Sequence, residues 1–307
     1  MNLPLKGIIP PIVTPLLENE ALDSKGLGNL IEHILEGGVH GVFLLGTTGE
    51  GPSLSHNLRK QLVSEACALV NKRVPVLVCI TDTSFEESLE LAEHAKQMGA
   101  DYLVVAPPYY FPISQVEMQE YLERLAPALP LPFLIYNMPS CTKLNLSIET
   151  IMKAKQLGAI GIKDSSGNLA YMHKVLKEFN ADEKFTIMTG TELHLPEALK
   201  SGGHGTVAGG ANFFPRLFVD FYEASLNNDT ERLLELIKKV TWIGETIYNV
   251  GKFDSRYVKG TKCALSVMGI CQDYMAMPLK PFNTEDCKKI KAYLEEFTQD
   301  AGFTTAG

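Results

Sequence analysis

The strongest constraint on the fold is a rhythm of short apolar runs. Eight of them, at 7–14, 41–45, 74–80, 102–106, 133–136, 159–163, 185–189 and 205–208, recur along the chain. Each is too short, and too closely bounded by Gly or Pro, to make a helix. Most are continuously apolar rather than alternating, which is the pattern of parallel strands covered on both faces. Helical periodicity fills the gaps, over 24–35, 55–70, 114–126, 147–157, 168–178 and 192–200. Leu27, Leu30, Ile31, Ile34 and Leu35 share one face of the first of these. Ser84-Phe85-Glu86-Glu87 has the form of a capping box opening a further helix to about Met98, with Gly99 as its stop.

Eight strands alternating with helices predict an α/β fold, a (β/α)8 TIM barrel. A doubly wound open sheet would carry a Gly-rich nucleotide loop after its first strand. Here that strand runs into Pro10-Pro11-Ile12-Val13-Thr14-Pro15. After the eighth strand, helical periodicity continues over 217–226, 230–250, 255–268 and 284–298. One of these segments closes the barrel as its eighth helix, and the others form a C-terminal helical appendage. The expected organisation is a barrel carrying the active site over 1–227 and a helical region over 228–307.

A net charge of −8 argues against a nucleic-acid binder, which needs a basic face. No stretch approaches the ~18 uninterrupted apolar residues of a membrane span, and the apolar start is broken by Pro4, Pro10 and Pro11. The six cysteines show no CxxC spacing, which fits free thiols in a reducing compartment and predicts a cytoplasmic protein.

In a barrel of this kind chemistry sits where the strands end. Those ends read Gly46-Thr47-Thr48-Gly49-Glu50, Pro107-Pro108-Tyr109-Tyr110, Tyr136-Asn137-Met138-Pro139, Lys163 in Gly161-Ile162-Lys163-Asp164-Ser165, Gly190-Thr191-Glu192, and Gly209-Gly210-Ala211-Asn212. Each alone has a plain reading: a tight turn, a packed aromatic, a solvated lysine. Their shared ring position favours chemistry. The Thr47-Thr48 turn offers N–H and hydroxyl donors to a carboxylate. A desolvated lysine becomes a nucleophile toward a ketone and forms a protonated imine. The imine withdraws electrons from the adjacent carbon, and a tyrosine phenol can carry the proton.

Metal-assisted chemistry would need His or carboxylate ligands converging at these ends. The seven histidines, at 33, 40, 56, 94, 173, 194 and 204, fall mainly in helical segments, without HxH or HExxH spacing. No GxSxG elbow or P-loop is present.

With these residues assembled, the chain resembles the dihydrodipicolinate synthase/N-acetylneuraminate lyase family over essentially its whole length. The resemblance is carried by Gly46-Thr47-Thr48-Gly49-Glu50, Pro108-Tyr109-Tyr110, Tyr136-Asn137-Met138-Pro139, Gly161-Ile162-Lys163-Asp164 and Gly202-Gly203-His204-Gly205. It implies a Schiff-base lyase or aldolase that needs no metal or organic cofactor. It also implies a homotetramer built as a dimer of dimers. By position, Lys163 resembles the imine-forming lysine and Tyr136 the catalytic phenol. Thr47 and Tyr110 resemble its proton-relay partners, the latter reaching in from a neighbouring subunit in many members. Thr48 resembles a carboxylate binder, and Gly190 and Val207 resemble pocket-wall contributors.

Departures bear on the substrate. Cys141 stands where the synthases carry an arginine for the aldehyde's carboxylate, with Lys143 as a candidate replacement. The sialic acid lyases carry an acidic pair after the strand 7 glycine, whereas Glu192 is followed by Leu193. They also carry Gly-Ser-Thr-Gly rather than Gly-Thr-Thr-Gly. Cys141, Ser165 and Glu192 are further candidate substrate contacts. The expected activity is a lysine-imine lyase acting on pyruvate or a pyruvate-yielding 2-oxo acid, of sugar-acid type. Dihydrodipicolinate synthase, N-acetylneuraminate lyase and a non-catalytic 2-oxo acid binder are the alternatives.

Overall fold

In a computed structural model describing residues 4–301, the rhythm becomes a ring of parallel strands with helices outside. The strands are β1 (Gly7–Ile8), β2 (Val42–Leu44), β3 (Val76–Cys79), β4 (Tyr102–Val105), β5 (Phe133–Asn137), β6 (Ala159–Asp164), β7 (Thr186–Thr189) and β8 (Gly205–Thr206). Helices α1 (Ser24–Glu36), α2 (His56–Val70), α3 (Phe85–Gln97) and α4 (Gln115–Leu125) follow the first four strands. Next come α5 (Pro139–Thr142), α6 (Ile148–Gln156), α7 (Leu169–Phe179), α8 (Leu195–Lys200) and α9 (Pro215–Leu226). Beyond the barrel lie α10 (Thr230–Glu245), α11 (Arg256–Val267) and α12 (Thr284–Ala301).

The ladder runs β1-β8-β7-β6-β5-β4-β3-β2. It closes through one parallel bridge, Pro11 with Phe43, where the Phe43 N–H donates to Pro10 O at 3.0 Å. Two prolines there cannot donate to a ladder. The strand expected over 7–14 therefore shortens to Gly7–Ile8.

Side-chain alternation makes two apolar layers. Leu77, Tyr102, Val104, Leu134, Tyr136 and Met188 point into the barrel, while Val78, Leu103, Val105, Ile135 and Ile162 face the helices. Ser, Asn and Asp residues start the helices by accepting an orphan N–H. The Ser114 hydroxyl accepts from Glu117 N–H while the Glu117 carboxylate accepts from Ser114 N–H, a complete capping box. The box expected at Ser84 is only half made. Ser84 Oγ accepts from Glu87 N–H, but the Glu87 carboxylate pairs with His56 at 2.9 Å. Asp82 Oδ1 takes the Ser84 N–H instead, at 2.9 Å.

Helix α9 packs beside α8 and against β1 as the eighth barrel helix. Helix α10 then lies on α9, and α12 lies on α11. Phe214 and Phe297 stack at 4.3 Å between ring centroids and tie α12 to the barrel. No helix among the described residues is long and apolar enough to cross a membrane.

Candidate active site

A cavity of about 750 Å³ opens where β2 to β5 end. Thr47, Tyr109, Tyr136 and Cys141 are on its wall, together with Asp254, Ser255 and Tyr257 from beyond residue 228. Residues of both expected regions thus line one cavity.

The turn after β2 is held by close backbone packing. Gly49 N–H and Gly51 N–H both donate to Gly46 O, at 3.1 and 3.3 Å, and Thr14 Oγ1 donates to Gly49 O at 2.7 Å. A Cβ on Gly51 would sit 2.2 Å from Leu45 O, so this path admits only glycine there. The constraint presents Thr47 to the cavity, with Thr47 Oγ1 3.4 Å from Tyr136 Oη. Thr48 is buried instead, and its Oγ1 donates to Tyr257 Oη at 3.5 Å.

Tyr136 and Lys163 stand opposite each other on β5 and β6. That pairing depends on an irregularity. Phe133 pairs with Ala159, but Leu134 pairs with Gly161, so β6 carries one extra residue. A one-residue slip reverses which face a side chain occupies. The bulge therefore turns Lys163, rather than Ile162, toward the barrel interior. Lys163 is only 6% exposed, with Nζ 4.1 Å from the Tyr136 ring centroid and 4.9 Å from that of Phe43. Gly161 leaves room for the bulge, since a Cβ there would lie 2.4 Å from Thr186 O.

The remaining candidates are distributed around this pair. Val207 is buried in the inner layer with Tyr136 and Met188, its N–H donating to Thr189 O at 2.8 Å. Gly190 lies against Ser165, where a Cβ would come 1.9 Å from Ser165 Oγ. Cys141 sits on α5, a short helix not anticipated from sequence, and is exposed at the rim. Lys143 directs its ammonium to Tyr110 O at 3.1 Å and is not on the cavity wall. Tyr110 does not share its own chain's cavity. It is 69% exposed, with its ring edge-on to Phe111.

Glu192 is turned toward the C-terminal helices. Its Oε1 accepts from Gly210 N–H at 2.8 Å and from Tyr248 Oη at 2.9 Å. Burial pushes its carboxyl up to about 7, against the lowering effect of those two donors. Burial likewise pushes the Tyr248 and Tyr257 hydroxyls up, so both stay neutral. The two rings lie 4.6 Å apart, so contacts run from Glu192 through Tyr248 and Tyr257 to Thr48.

Sequence reasoning missed Tyr257 and the pair formed by Glu50 and Lys262. Tyr257 reads as one more residue of an amphipathic helix, and only its position after the barrel closes brings it to Thr48. Lys262 is fully buried, which nothing in its neighbours Thr261 and Cys263 announces.

The sequence and the fold are similar to those of known proteins. A 4-hydroxy-tetrahydrodipicolinate synthase of Bartonella bacilliformis is 31% identical over 95% of this chain and 97% of its own. YagE of Escherichia coli, provisionally named a 2-dehydro-3-deoxy-D-gluconate aldolase, is 30% identical over 94% of this chain and 96% of its own. Among solved structures, dihydrodipicolinate synthase from Bacteroides thetaiotaomicron superimposes with a TM-score of 0.93 at 48% identity, covering 96% of this chain and 100% of that one. YagE in complex with pyruvate superimposes with a TM-score of 0.90 at 29% identity, covering 96% and 99%. A sequence model of the dihydrodipicolinate synthetase family matches residues 4–297, and the chain belongs to that family.

Proposed function

We propose that this lyase works through a lysine imine on pyruvate or a 2-oxo acid that yields pyruvate, and that its full substrate is of sugar-acid type. The contact of Lys163 with Tyr136, in register across β5 and β6, carries the reading. Lys163 as the free amine adds to the ketone carbon, and loss of water leaves a protonated imine. The Tyr136 phenol gives its proton to the departing hydroxyl and then, as the phenolate and relayed through Thr47, takes the proton of the substrate's 4-hydroxyl as the C3–C4 bond breaks. The bonding electrons pass into an enamine. Protonation at C3 and hydrolysis then release pyruvate and restore the amine. The N–H groups of the Thr47-Thr48 turn receive the carboxylate.

The second half of the substrate is read from the cavity wall. Ser53, Thr81, Ser140 and Ser255 offer hydroxyls there and Asp254 offers a carboxylate, while among the described residues no Lys or Arg is on that wall, Lys163 lying against the ring of the wall residue Tyr136. That lining suits a neutral hydroxylated aldehyde better than one bearing a second carboxylate. The likeness to 4-hydroxy-tetrahydrodipicolinate synthases favours that activity as the second reading.

The exposed Tyr110 supports assembly into a homotetramer, a dimer of dimers in which Tyr110 completes a neighbour's relay. Six free cysteines support a cytoplasmic location. We keep the division into a catalytic barrel, 1–227, and a helical region, 228–307, with the second lending Tyr257 to the first.

Borohydride reduction in the presence of pyruvate tests the chemistry and should leave one reduced pyruvate on Lys163. Absence of an adduct on folded protein sinks the imine. A pyruvate-release screen over sugar-derived 2-oxo acids, 4-hydroxy-2-oxoglutarate and sialic acid, beside condensation of pyruvate with aspartate semialdehyde, then separates the substrate readings.

A further inference from the structure

Two thiols and a carboxylate from three separate segments converge among the C-terminal helices, away from the cavity. Cys263 lies on α11, Asp273 in the connection over 268–283, and Cys287 in the first turn of α12. One ligand atom from each lies within 4.8 Å of the other two. Cys263 is buried, the other two are partly so, and the thiols are not joined in a disulfide. Cys287 Sγ makes a weak contact with Phe282 O at 3.7 Å. The Asp273 carboxylate has no hydrogen-bond or ion-pair partner among the described residues. The neighbouring Asp286 is committed elsewhere, to Asn283 at 3.0 Å and Lys289 at 3.1 Å.

A half-buried carboxylate facing two thiols, with no donor of its own, is a poor arrangement for packing alone. A divalent cation turns all three groups into ligands. Around four-coordinate zinc, with bonds of about 2.3 Å to sulfur and about 2.0 Å to oxygen, ligand atoms stand roughly 3.5–3.8 Å apart. The observed span accommodates that geometry with small side-chain shifts. Two sulfurs select a borderline-soft metal over Mg²⁺ or Ca²⁺. The partly exposed side leaves water as the fourth ligand. We propose that Cys263, Asp273 and Cys287 form a zinc-binding site.

Its position gives it a task. Cys263 follows Lys262, and Asp273 precedes Tyr274. The Lys262 ammonium donates to Tyr274 O and to Glu50 Oε1, and Glu50 ends the turn that carries Thr47 and Thr48. A metal at this site joins α11, the 268–283 connection and α12, and so braces the clamp on that turn without touching substrate.

The test uses the full-length reduced protein, stripped with a chelator and titrated with Zn²⁺ against a competing chelator. Cd²⁺ serves as the optical probe. The site predicts one ion per chain, a thiolate-to-cadmium charge-transfer band in the ultraviolet, and a rise in melting temperature with Zn²⁺. Cys287→Ser should at least halve the band. Asp273→Asn removes a group with no partner to lose, so the fold should persist while affinity falls about tenfold or more. A wild-type chain that shows no band, or an affinity unchanged in both variants, overturns the site.

Discussion

Lys262 and Glu50 form a fully buried ion pair, 2.6 Å from Nζ to Oε1, that fastens a C-terminal helix to the turn after β2. Glu50 Oε2 accepts from Ala276 N–H at 2.9 Å, so both carboxylate oxygens are held. Lys262→Met should leave that carboxylate buried without a cation and cost about 3–5 kcal/mol. The measurement is a lowered urea midpoint. The double variant Lys262→Met/Glu50→Gln should recover part of the loss, and a single variant as stable as wild type counts against the clamp.

Tyr136→Phe keeps the ring beneath Lys163 and removes only the hydroxyl that faces Thr47. Loss of one acid–base group lowers turnover by about 10²–10⁴. The variant should still give the borohydride adduct with pyruvate, because the amine is untouched. Undiminished pyruvate release by Tyr136→Phe contradicts the assigned proton path.

Cys141 is exposed on the cavity wall, and on the proposed reading a cation placed there would pair with a carboxylate-bearing aldehyde. A new charge-assisted hydrogen bond is worth roughly 1.5–3 kcal/mol. Cys141→Arg should therefore lower KM for aspartate semialdehyde by about ten- to a hundredfold. Neutral aldehydes should change little. Equal response of both classes in steady-state assays means that the rim does not read charge.

Glu192 makes a specific pH signature. Its carboxyl is raised from 4.5 to about 7 in the folded chain, so the native state holds a proton there that the unfolded chain has lost. Its contribution to stability is thus largest below pH 4.5, declines as pH rises toward about 7, and is level above. Glu192→Gln should flatten the difference between urea midpoints measured at the two ends of that window. An unchanged slope means that Glu192 titrates in the fold as it does in the unfolded chain.

Tyr110 is predicted to act in a neighbour. Tyr110→Phe and Lys163→Ala should each be poorly active alone. Co-refolded mixtures should regain activity, since a mixed pair contains one site with both groups intact. Mixtures that stay at the sum of their parts place Tyr110 outside the relay.

Much of the barrel was legible because its signals are local. Short apolar runs, helix-starting Ser, Asn and Asp residues, and glycines at tight turns act over a few residues. Ser114 with Glu117 forms the complete cap that its spacing allows, whereas Ser84 with Glu87 does not, because His56 from another helix competes for the carboxylate. Helix α5, which carries Cys141, was not foreseen, since a four-residue turn opened by Pro139 has no periodicity to read.

The sequence by itself determined the alternation of strand and helix and which residues stand at the strand ends, because both follow from chain-local patterning. It also placed Lys163 and Tyr136 at adjacent ends of the ring. Only the tertiary structure decided that they face each other, through the extra residue in β6 that sets which side chains turn inward. It alone brought Tyr257 to Thr48 and Lys262 to Glu50, and it turned Tyr110 outward. Those relationships join residues up to 212 positions apart. They depend on how the C-terminal helices dock over a closed barrel, and no local period encodes that docking.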